Sequence, residues 1–330
     1  MSASSANKQI SPEREDTVNT QEYLSRVDNV ILERSTDLDL SSISSSIEDI
    51  EIHLLLEGIY QHHGLDFRDY SLPSLRRRIL RAVHGERVNS ISELQHRVLR
   101  DRASWERLLK LLSVHVTMFF RDPDLFLTLR EKVIPQLAEL PFFRIWHIGC
   151  SSGEEAYSMS ILLHEEGLLD RGRLYATDLN DGALGRGRQG IYSLDLLEAY
   201  ESNYKAAGGK HKLSDYYTAR YESGIMRPAL RERIVFAQHN LTSDTAFTEF
   251  DLIFCRNVLI YFNKALQQRV HKLVDNSLRP EGFFVLGQKE NLKHTAIEDN
   301  YSIVGSSGEP VSLYQKTLTP DSRKRSSDEG

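Results

Sequence analysis

The stretch from Phe143 to Glu155 constrains the fold more than any other part of this 330-residue chain. An apolar strand candidate, Phe143–Ile148, runs into the small-residue loop Gly149–Gly153, and the next helix carries Glu154 and Glu155 in its first turn. Small residues let a ligand approach the backbone, and a helix start offers free N–H groups. The stretch therefore predicts a nucleotide-type cofactor site in an α/β fold.

The two carboxylates at this helix start narrow the choice of cofactor. A phosphate group would be better matched by Lys or Arg, whereas acids favour a ligand with a cationic end. Glu154 and Glu155 thus favour S-adenosylmethionine, which carries a sulfonium and an ammonium group, over NAD or ATP.

The composition excludes several classes of protein. The net charge of −6 argues against a general nucleic-acid binder. Cys150 and Cys255 are too few for a disulfide framework and are expected to be buried free thiols. No apolar run approaches the roughly 18 residues of a membrane span, and no signal peptide is visible. We therefore expect a cytoplasmic protein that does not insert into the membrane.

The residue pattern divides the chain into segments. Residues 1–48 are rich in Ser, Asp and Glu and are expected to be a disordered tail, as are residues 319–330. Residues 49–125 have helical periodicity, with one helix opened by Ser71-Leu72-Pro73 and another by Ser90. This segment is predicted to be a small all-helical domain.

From about Phe142 the chain alternates between strand and helix patterns, which predicts a doubly wound, mostly parallel α/β sheet within a domain of residues 126–318. The helix that begins at Lys264 is expected to end at Leu278, before the terminator Arg279-Pro280-Glu281-Gly282. A polar, Tyr-rich stretch at about residues 194–233 is too long for a crossover loop and predicts an inserted subdomain. The strand candidates are Phe143–Ile148, Arg173–Thr177, Ile234–Ala237, Leu252–Cys255, Phe283–Leu286 and Val311–Gln315.

Asp178 strengthens the cofactor hypothesis. It follows the second strand candidate and lies 25 residues after Gly153 (178 − 153). An acid at this place can accept hydrogen bonds from both ribose hydroxyls of a nucleotide-type cofactor. The alternative is that Asp178 caps the helix that starts near Asn180, and the two roles are compatible.

A second group of polar residues follows the strand candidate Leu252–Cys255. Arg256 and Asn257 come directly after this strand, and Tyr261 lies four residues beyond Asn257. Ligands of open α/β sheets bind at the carboxyl ends of the strands, so Arg256 and Asn257 are expected at the site. Tyr261 is alternatively a core aromatic residue whose hydroxyl reaches the rim.

Together these motifs resemble the chemotaxis receptor-glutamate O-methyltransferases, the CheR family, in order and spacing over about residues 50–318. The Phe-Phe-Arg, Ser-x-Gly-Glu-Glu and Cys-Arg-Asn-Val motifs are the most specific part of the resemblance. The matching runs are Gly64–Phe67 with Tyr70 and Leu75–Arg78, Thr117–Asp122, Gly149–Ser158, Ala176–Asp178, Gly190–Tyr192, Asn240-Leu241 and Phe254–Phe262.

The resemblance implies a protein-glutamate O-methyltransferase that uses S-adenosylmethionine, releases S-adenosylhomocysteine and needs no metal. Its fold would be a Rossmann-like methyltransferase sheet with an N-terminal all-helical domain, so that residues 126–318 form the catalytic domain. Arg121 would lie beside the cofactor near the reaction centre, and Tyr261 close to the transferred methyl group. One of Glu154 and Glu155 would contact the methionine portion, and the sequence leaves open which. The other implied cofactor contacts are His115 (often Asn in the family), Thr117, Asp178 at the ribose, Asn240 and Leu241 at the adenine, and Arg256 and Asn257 closing the site.

The resemblance also implies the substrate, the cytoplasmic helical methylation region of chemoreceptors, and a role in sensory adaptation. Arg76, Arg77, Arg78 and Arg81 would recognise these acidic segments, although a charged helix face is more often merely solvated. The insert would be a small antiparallel β-subdomain, which tethers some members to a receptor's C-terminal peptide. The short turn at Tyr221–Ile225 predicts that this chain does not depend on the tether. We expect a monomer.

The implied chemistry needs no general base. A glutamate side chain has a reference pKa of about 4.3 and is an anion at neutral pH, and a sulfonium methyl group is already activated. The protein has to desolvate the carboxylate, align it with the methyl–sulfur bond and exclude water, so positioning is its main contribution. Arg121 would orient the carboxylate through charge-assisted hydrogen bonds.

Other functions fit fewer of these features. A non-catalytic scaffold that binds S-adenosylmethionine in a chemosensory complex would not need Arg121, Asp178, Asn257 and Tyr261 together. A methyltransferase of small molecules or nucleic acids would need neither the Arg-rich helix nor the Phe-Phe-Arg segment, and no Asn-Pro-Pro-Tyr type of motif is present. An NAD oxidoreductase is disfavoured by the acidic helix start. The scaffold is therefore the main alternative.

Overall fold

The computed structural model describes residues 47–113, 117–245, 247–304 and 312–317. His115, Val311 and the predicted tails, apart from Ile47 and Glu48, lie outside these residues. Within the described ranges, none of the helices combines the length and the apolar character needed to cross a membrane.

Four helices form the N-terminal part of the described chain. They are α1 (Ile47–His63), α2 (Leu72–Glu86), α3 (Ile91–Val98) and α4 (Arg102–Leu112). Pro73 lies in the first turn of α2, where its missing N–H costs nothing, and the Ser90 side chain accepts the Glu93 N–H (3.1 Å) at the start of α3. The apolar faces of these helices form one core, which includes Ile52, Leu55, Ile59, Phe67, Leu75, Ile79, Leu94 and Leu108.

The remainder of the described chain is an α/β domain with two sheets. Its strands are β1 (Phe143–Ile148), β2 (Gly172–Asp178), β3 (Ile191–Ser193), β4 (Tyr217–Arg220), β5 (Ser223–Met226), β6 (Ile234–Gln238), β7 (Phe250–Cys255), β8 (Leu278–Leu286), β9 (Tyr301–Ile303) and β10 (Leu313–Lys316). Its helices are α5 (Pro123–Thr128), α6 (Ile134–Glu139), α7 (Glu154–Glu165), α8 (Asp181–Gln189), α9 (Leu194–Ala199), α10 (Glu201–Ala206), α11 (Pro228–Arg231) and α12 (Lys264–Ser277), with a π-helical turn, Leu129–Val133, between α5 and α6.

The large sheet has seven strands in the order β6-β2-β1-β7-β8-β10-β9. The first five run parallel, and β10 and β9 are antiparallel to their neighbours. From β1 the chain builds outward to β2 and β6 and then continues on the other side with β7 and β8. The strand order therefore reverses between β1 and β7, and open α/β sheets bind their ligands at the carboxyl ends of the strands beside such a reversal. The predicted doubly wound fold is confirmed.

The small sheet, β3-β5-β4, is antiparallel and confirms the predicted inserted β-subdomain. A group that we call the Glu165 cluster joins the insert to α7. The Glu165 carboxylate pairs with Arg130 and accepts hydrogen bonds from the hydroxyls of Tyr204 (2.5 Å) and Tyr216 (2.8 Å) and from the N–H of Lys210 (3.0 Å). Burial acts to raise the pKa of Glu165, but hydrogen bonds from Tyr204 and Arg130 outweigh it and lower the pKa.

The end of α12 differs from the prediction. The helix ends at Ser277, and the predicted terminator, Arg279–Gly282, already lies inside β8. The register of β8 against β7 shifts between Leu278 and Phe283, and Glu281 has a left-handed φ of 62°. Pro280 cannot donate to the sheet, so the strand bulges over this segment instead of ending.

Candidate active site

The loop after β1 has the backbone that its small residues predict. Gly149 and Gly153 have left-handed φ values of 66° and 91°. A Cβ atom on Gly149 would lie 2.5 Å from a methyl carbon of Val258, so no larger residue fits there. The Cys150 N–H donates to the Thr177 carbonyl (2.9 Å), which ties the loop to β2. The loop is thereby held at the carboxyl ends of β1 and β2.

The adjacent acids Glu154 and Glu155 have different surroundings. Glu154 is 9% exposed and accepts a hydrogen bond from the Ser152 hydroxyl (2.9 Å), and burial raises its pKa to about 7. Glu155 accepts a hydrogen bond from Arg256 Nη1 (2.7 Å), and its other oxygen lies 3.0 Å from His147 Nδ1. Burial acts to raise the pKa of Glu155, but Arg256 and His147 outweigh it and lower the pKa to about 2. At neutral pH Glu155 is therefore ionised, whereas Glu154 is about half protonated.

Arg256 connects three parts of the site. Its guanidinium is buried and pairs with Glu155 at the start of α7 and with Asp122 in the segment before α5. Arg256 Nη2 also lies 3.4 Å from the carbonyl oxygen of Arg121. We call Arg256, Glu155 and Asp122 the Arg256 bridge. One guanidinium serves two carboxylates, so these three side chains carry a formal charge of −1.

The turn that carries Arg121 has an unusual backbone. Phe120 and Asp122, on either side of Arg121, have left-handed φ values of 50° and 58°, each of which costs of order 1–3 kcal/mol. The Phe120 N–H donates to the Ser158 hydroxyl (2.8 Å), and Asp122 is held by Arg256. Arg121 is thus placed by two anchored neighbours.

Asp178 ties two loops together at the end of β2. Its carboxylate accepts the N–H groups of Ser151 and Asn180, each at 2.9 Å. The N-cap of α8 is Asn180, whose side chain accepts the Ala183 N–H (3.0 Å), so the alternative that Asp178 caps this helix was wrong. Asp178 is half-buried, and its oxygens retain lone pairs for further donors.

Asn240 and Leu241 follow β6, which pairs with β2 and places them at the same edge of the sheet as Asp178. The Asn240 side-chain oxygen accepts the N–H (3.0 Å) and the hydroxyl (2.7 Å) of Thr242. Leu241 packs against the core on that face of the sheet. This turn therefore has a defined conformation at the place that the sequence predicted for an adenine.

The loop after β7 touches the helical domain. Asn257 has a left-handed φ of 58°, and the Tyr261 carbonyl accepts the Ser71 N–H (2.8 Å). The Arg78 guanidinium lies 4.7 Å from the centre of the Tyr261 ring, close enough for a cation–π interaction. The start of α2 is therefore joined to the loop that carries Tyr261.

The four arginines predicted to bind a receptor divide into two pairs. Arg76 forms ion pairs with Glu48 and Asp49 of α1. Arg78 is buried and donates to the Leu112 carbonyl (2.8 Å), and burial lowers its pKa. Arg77 and Arg81 are exposed, so these two are placed to meet a partner.

Sequence reasoning missed several residues of this site. Asp122, His147 and Ser158 hold predicted residues in place, and Glu290 binds the loop after β7. Glu290 lies just beyond the carboxyl end of β8, so the strand-end rule that pointed to Arg256 could have found it.

The predicted residues are brought together to different degrees. Glu155, Arg256 and the Arg121 turn are in contact, as are Asp178 and the loop after β1. Thr117 is half-buried four residues before Arg121, and His115 lies outside the described residues. No cluster of three or more His, Cys, Asp or Glu side chains that could hold a metal occurs in the described ranges.

Comparison with known proteins defines the class. Residues 115–307 match the CheR methyltransferase, SAM binding domain, and residues 50–113 match the CheR methyltransferase, all-alpha domain. The chain belongs to the CheR methyltransferase family, as the resemblance predicted. It therefore has the S-adenosylmethionine-binding domain of a methyltransferase family that acts in chemotaxis.

Three relatives illustrate the match. Cher3 of Pseudomonas putida is 49% identical over 77% of this chain and 93% of its own length. Chemotaxis protein methyltransferase 2 of Pseudomonas aeruginosa is 31% identical over 73% of this chain and 86% of its own length. The chemotaxis protein methyltransferase of Escherichia coli is 26% identical over 79% of this chain and 90% of its own length.

Proposed function

We propose that this protein transfers the methyl group of S-adenosylmethionine to glutamate side chains in the helical methylation region of chemoreceptors. The observation that carries the proposal is the joint between α2 and the loop after β7. The Ser71–Tyr261 hydrogen bond and the Arg78–Tyr261 contact put an arginine-bearing helix directly beside the edge of the sheet where the cofactor is expected. A small-molecule enzyme has no need of such a helix at this place.

The residues at this edge fit the cofactor. Glu155 is ionised and 17% exposed, whereas Glu154 is buried and partly protonated, so we assign Glu155 to the ammonium of the methionine portion. The formal charge of −1 on the Arg256 bridge suits it to take up a cation. Asp178 would accept the ribose hydroxyls, and Asn240 and Leu241 would flank the adenine.

The chain's own part in the reaction is positioning. S-adenosylmethionine supplies an activated methyl group when it is bound. Arg121, held between Phe120 and Asp122, would orient the substrate carboxylate by charge-assisted hydrogen bonds. Tyr261 would close the site beside the methyl group and help to exclude water. Alignment of this kind can supply several kcal/mol of the barrier reduction without a general base.

Recognition of the receptor falls to the exposed arginines of α2. Arg77 and Arg81 are four residues apart and therefore lie on one face of the helix. On a chain whose net charge is −6, these two positive charges form a local basic patch that would attract an acidic helix. Arg78 lies beneath this face and touches Tyr261.

The test is transfer of methyl label from S-adenosylmethionine to receptor-containing membranes. We expect base-labile label on a receptor band, because a glutamate methyl ester is hydrolysed by base. Arg77→Glu/Arg81→Glu should lower kcat/KM for the receptor at least about 30-fold while cofactor affinity stays within about threefold, since each charge contact contributes about 1 kcal/mol or more.

The matched control is Lys132→Glu/Lys272→Glu, which makes the same charge change at two exposed lysines of the methyltransferase domain. Equal losses in both double variants would show that overall charge, and not α2, steers the receptor. Tight cofactor binding with no transfer to any acidic helical protein would overturn the proposal in favour of a scaffold.

A further inference from the structure

Glu290 is a buried acid that binds the loop after β7 and has no part in the function proposed above. It lies four residues beyond Leu286, the last residue of β8, and is 6% exposed. No cation among the described residues forms an ion pair with it. A buried carboxylate is expensive unless other groups satisfy it, so its hydrogen-bond partners explain its presence.

All of the hydrogen bonds to the Glu290 carboxylate come from backbone N–H groups. One oxygen accepts those of Asn257 (2.7 Å) and Gly287 (2.8 Å). The other accepts those of Val258 (3.0 Å) and Ile260 (3.3 Å). Three of these four donors belong to the loop between β7 and Tyr261. Burial raises the pKa of Glu290, although the N–H groups of Gly287, Asn257 and Ile260 act to lower it, and its two oxygens bind the loop as a ligand binds a nest of N–H groups.

The surrounding backbone is shaped for this contact. A Cβ atom on Gly287 would lie 2.8 Å from Glu290 Oε2 and 2.9 Å from the Asn257 nitrogen, so only glycine lets the carboxylate reach the loop. Asn257 has a left-handed φ of 58°, which a non-glycine residue adopts at a cost. The hydrogen bonds from Asn257 and its neighbours to Glu290 offset this cost.

We propose that Glu290 is a positioning residue for methyl transfer, which holds the loop Asn257–Tyr261 so that Tyr261 stays beside the transferred methyl group. This inference rests on the proposed function. Glu290 anchors the first part of the loop, and the Ser71 N–H anchors its last residue. With Glu290 removed, the loop loses three backbone hydrogen bonds at its start and keeps those from Gln267 to the Leu259 carbonyl (2.9 Å) and from Ser71 to the Tyr261 carbonyl.

The test begins with Glu290→Gln, which preserves the shape of the side chain. Whichever way the amide turns, its NH₂ group faces two backbone N–H groups and loses both hydrogen bonds. We expect kcat to fall about 100-fold, because a displacement of about 1 Å at a reacting group can have an effect of this size. The KM for the receptor should stay within about threefold, since Arg77 and Arg81 are untouched. Glu290→Asp keeps the carboxylate and should recover at least about tenfold of the lost kcat.

Glu165→Gln is the matched control. Glu165 is also a buried carboxylate that accepts several hydrogen bonds, but it lies in the Glu165 cluster at the insert. Its replacement should lower the melting temperature and leave kcat per folded molecule unchanged. Hydrogen exchange at the amides of Asn257, Val258 and Ile260 should become faster in Glu290→Gln and not in Glu165→Gln.

The outcomes separate this inference from the proposed function. If the wild-type protein transfers label and Glu290→Gln keeps kcat within about threefold, the positioning role is overturned. If the wild-type protein transfers no label, the proposed function fails and the methyl-transfer role falls with it, while the amide exchange still decides whether Glu290 holds the loop. Unchanged exchange at all three amides in Glu290→Gln would overturn the anchoring itself.

Discussion

Two arginine-centred clusters hold the methyltransferase domain together, and they differ in charge balance. In the Glu165 cluster, Arg130 pairs with Glu165 and Glu166, and Lys210 also pairs with Glu166, so two cations meet two carboxylates. In the Arg256 bridge one guanidinium serves two carboxylates at the carboxyl edge of the sheet. The balanced cluster is complete without a ligand, whereas the unbalanced one is suited to receive a cation. Under the proposed function, charge balance, and not burial alone, would distinguish the structural cluster from the binding site in this protein.

The largest expected effect comes from removing the arginine of each cluster. Arg256→Met leaves Glu155 and Asp122 without the guanidinium that they share, and Arg130→Met leaves Glu165 without its cation while Glu166 keeps Lys210. Each variant should lower the free energy of unfolding by about 3–5 kcal/mol. Only Arg256→Met should also weaken binding of S-adenosylhomocysteine, because only its partners adjoin the cofactor site that we propose. Urea unfolding and calorimetric titration measure the two quantities. A comparable loss of affinity in Arg130→Met would break the distinction between the clusters.

A smaller effect is expected at Glu154, where the structure predicts a gain of stability. The pKa of Glu154 is raised from 4.5 to about 7 in the folded protein, so its ionisation costs folding free energy as the pH rises through this range. Glu154→Gln removes that cost. It should stabilise the fold by up to about 3 kcal/mol at pH 8 and by much less at pH 5, as measured by chemical unfolding.

Glu155→Gln is the variant to compare with Glu154→Gln, since it makes the same change in the neighbouring acid. The pKa of Glu155 is lowered to about 2, so this acid is ionised at both pH values. Its replacement should destabilise the fold and weaken cofactor binding about 30-fold, which corresponds to about 2 kcal/mol. If Glu154→Gln weakened cofactor binding more than Glu155→Gln, the assignment of the two acids would be reversed.

The smallest effects concern two tyrosine hydroxyls, one that binds the loop after β1 and one in the Glu165 cluster. Tyr192 Oη donates to the Ser152 carbonyl in the loop after β1 (2.7 Å), and Tyr216 Oη donates to Glu165 (2.8 Å). Tyr192→Phe and Tyr216→Phe should each cost about 1 kcal/mol of stability. We expect only Tyr192→Phe to lower cofactor affinity, by about threefold to fivefold, in the same calorimetric titration. Equal affinities in both variants would show that the insert does not influence the cofactor loop.

Local patterns in the sequence were sufficient for much of the fold. The strand candidate Phe143–Ile148 coincides with β1, and the signals at Pro73 and Ser90 lie where α2 and α3 begin. These features depend on the nearest few residues, which a sequence displays directly. The helix α12 ends one residue before the predicted Leu278, but the strand that includes Arg279–Gly282 was missed. Pro280 and Gly282 disrupt a helix and bulge a strand alike, and only the pairing with β7 decides between the two outcomes.

The partners within the site could not be read from the sequence. Arg256 and Asp122 are 134 residues apart, and Glu290 and Asn257 are 33 apart, so only the packed fold brings each pair together. For the three consecutive arginines of α2, by contrast, helix geometry in the sequence already indicates which one is buried. Successive residues of an α-helix point about 100° apart, so Arg78 points about 60° from the buried Leu75 and Arg77 about 160° from it. Arg78 is the one that is buried.

The hydrogen bond between Ser71 and Tyr261 has a metric consequence. The bond holds Ser71, the residue before α2, against the loop after β7. From Ser71 the helix α2 rises about 1.5 Å per residue. Arg77 and Arg81 therefore stand about 9 and 15 Å along the helix axis from that anchor. Under the proposed function, a helical substrate lying alongside α2 would meet them about six and ten residues from the glutamate that is modified. The spacing of acidic residues along a receptor helix would then match the positions of Arg77 and Arg81 along α2.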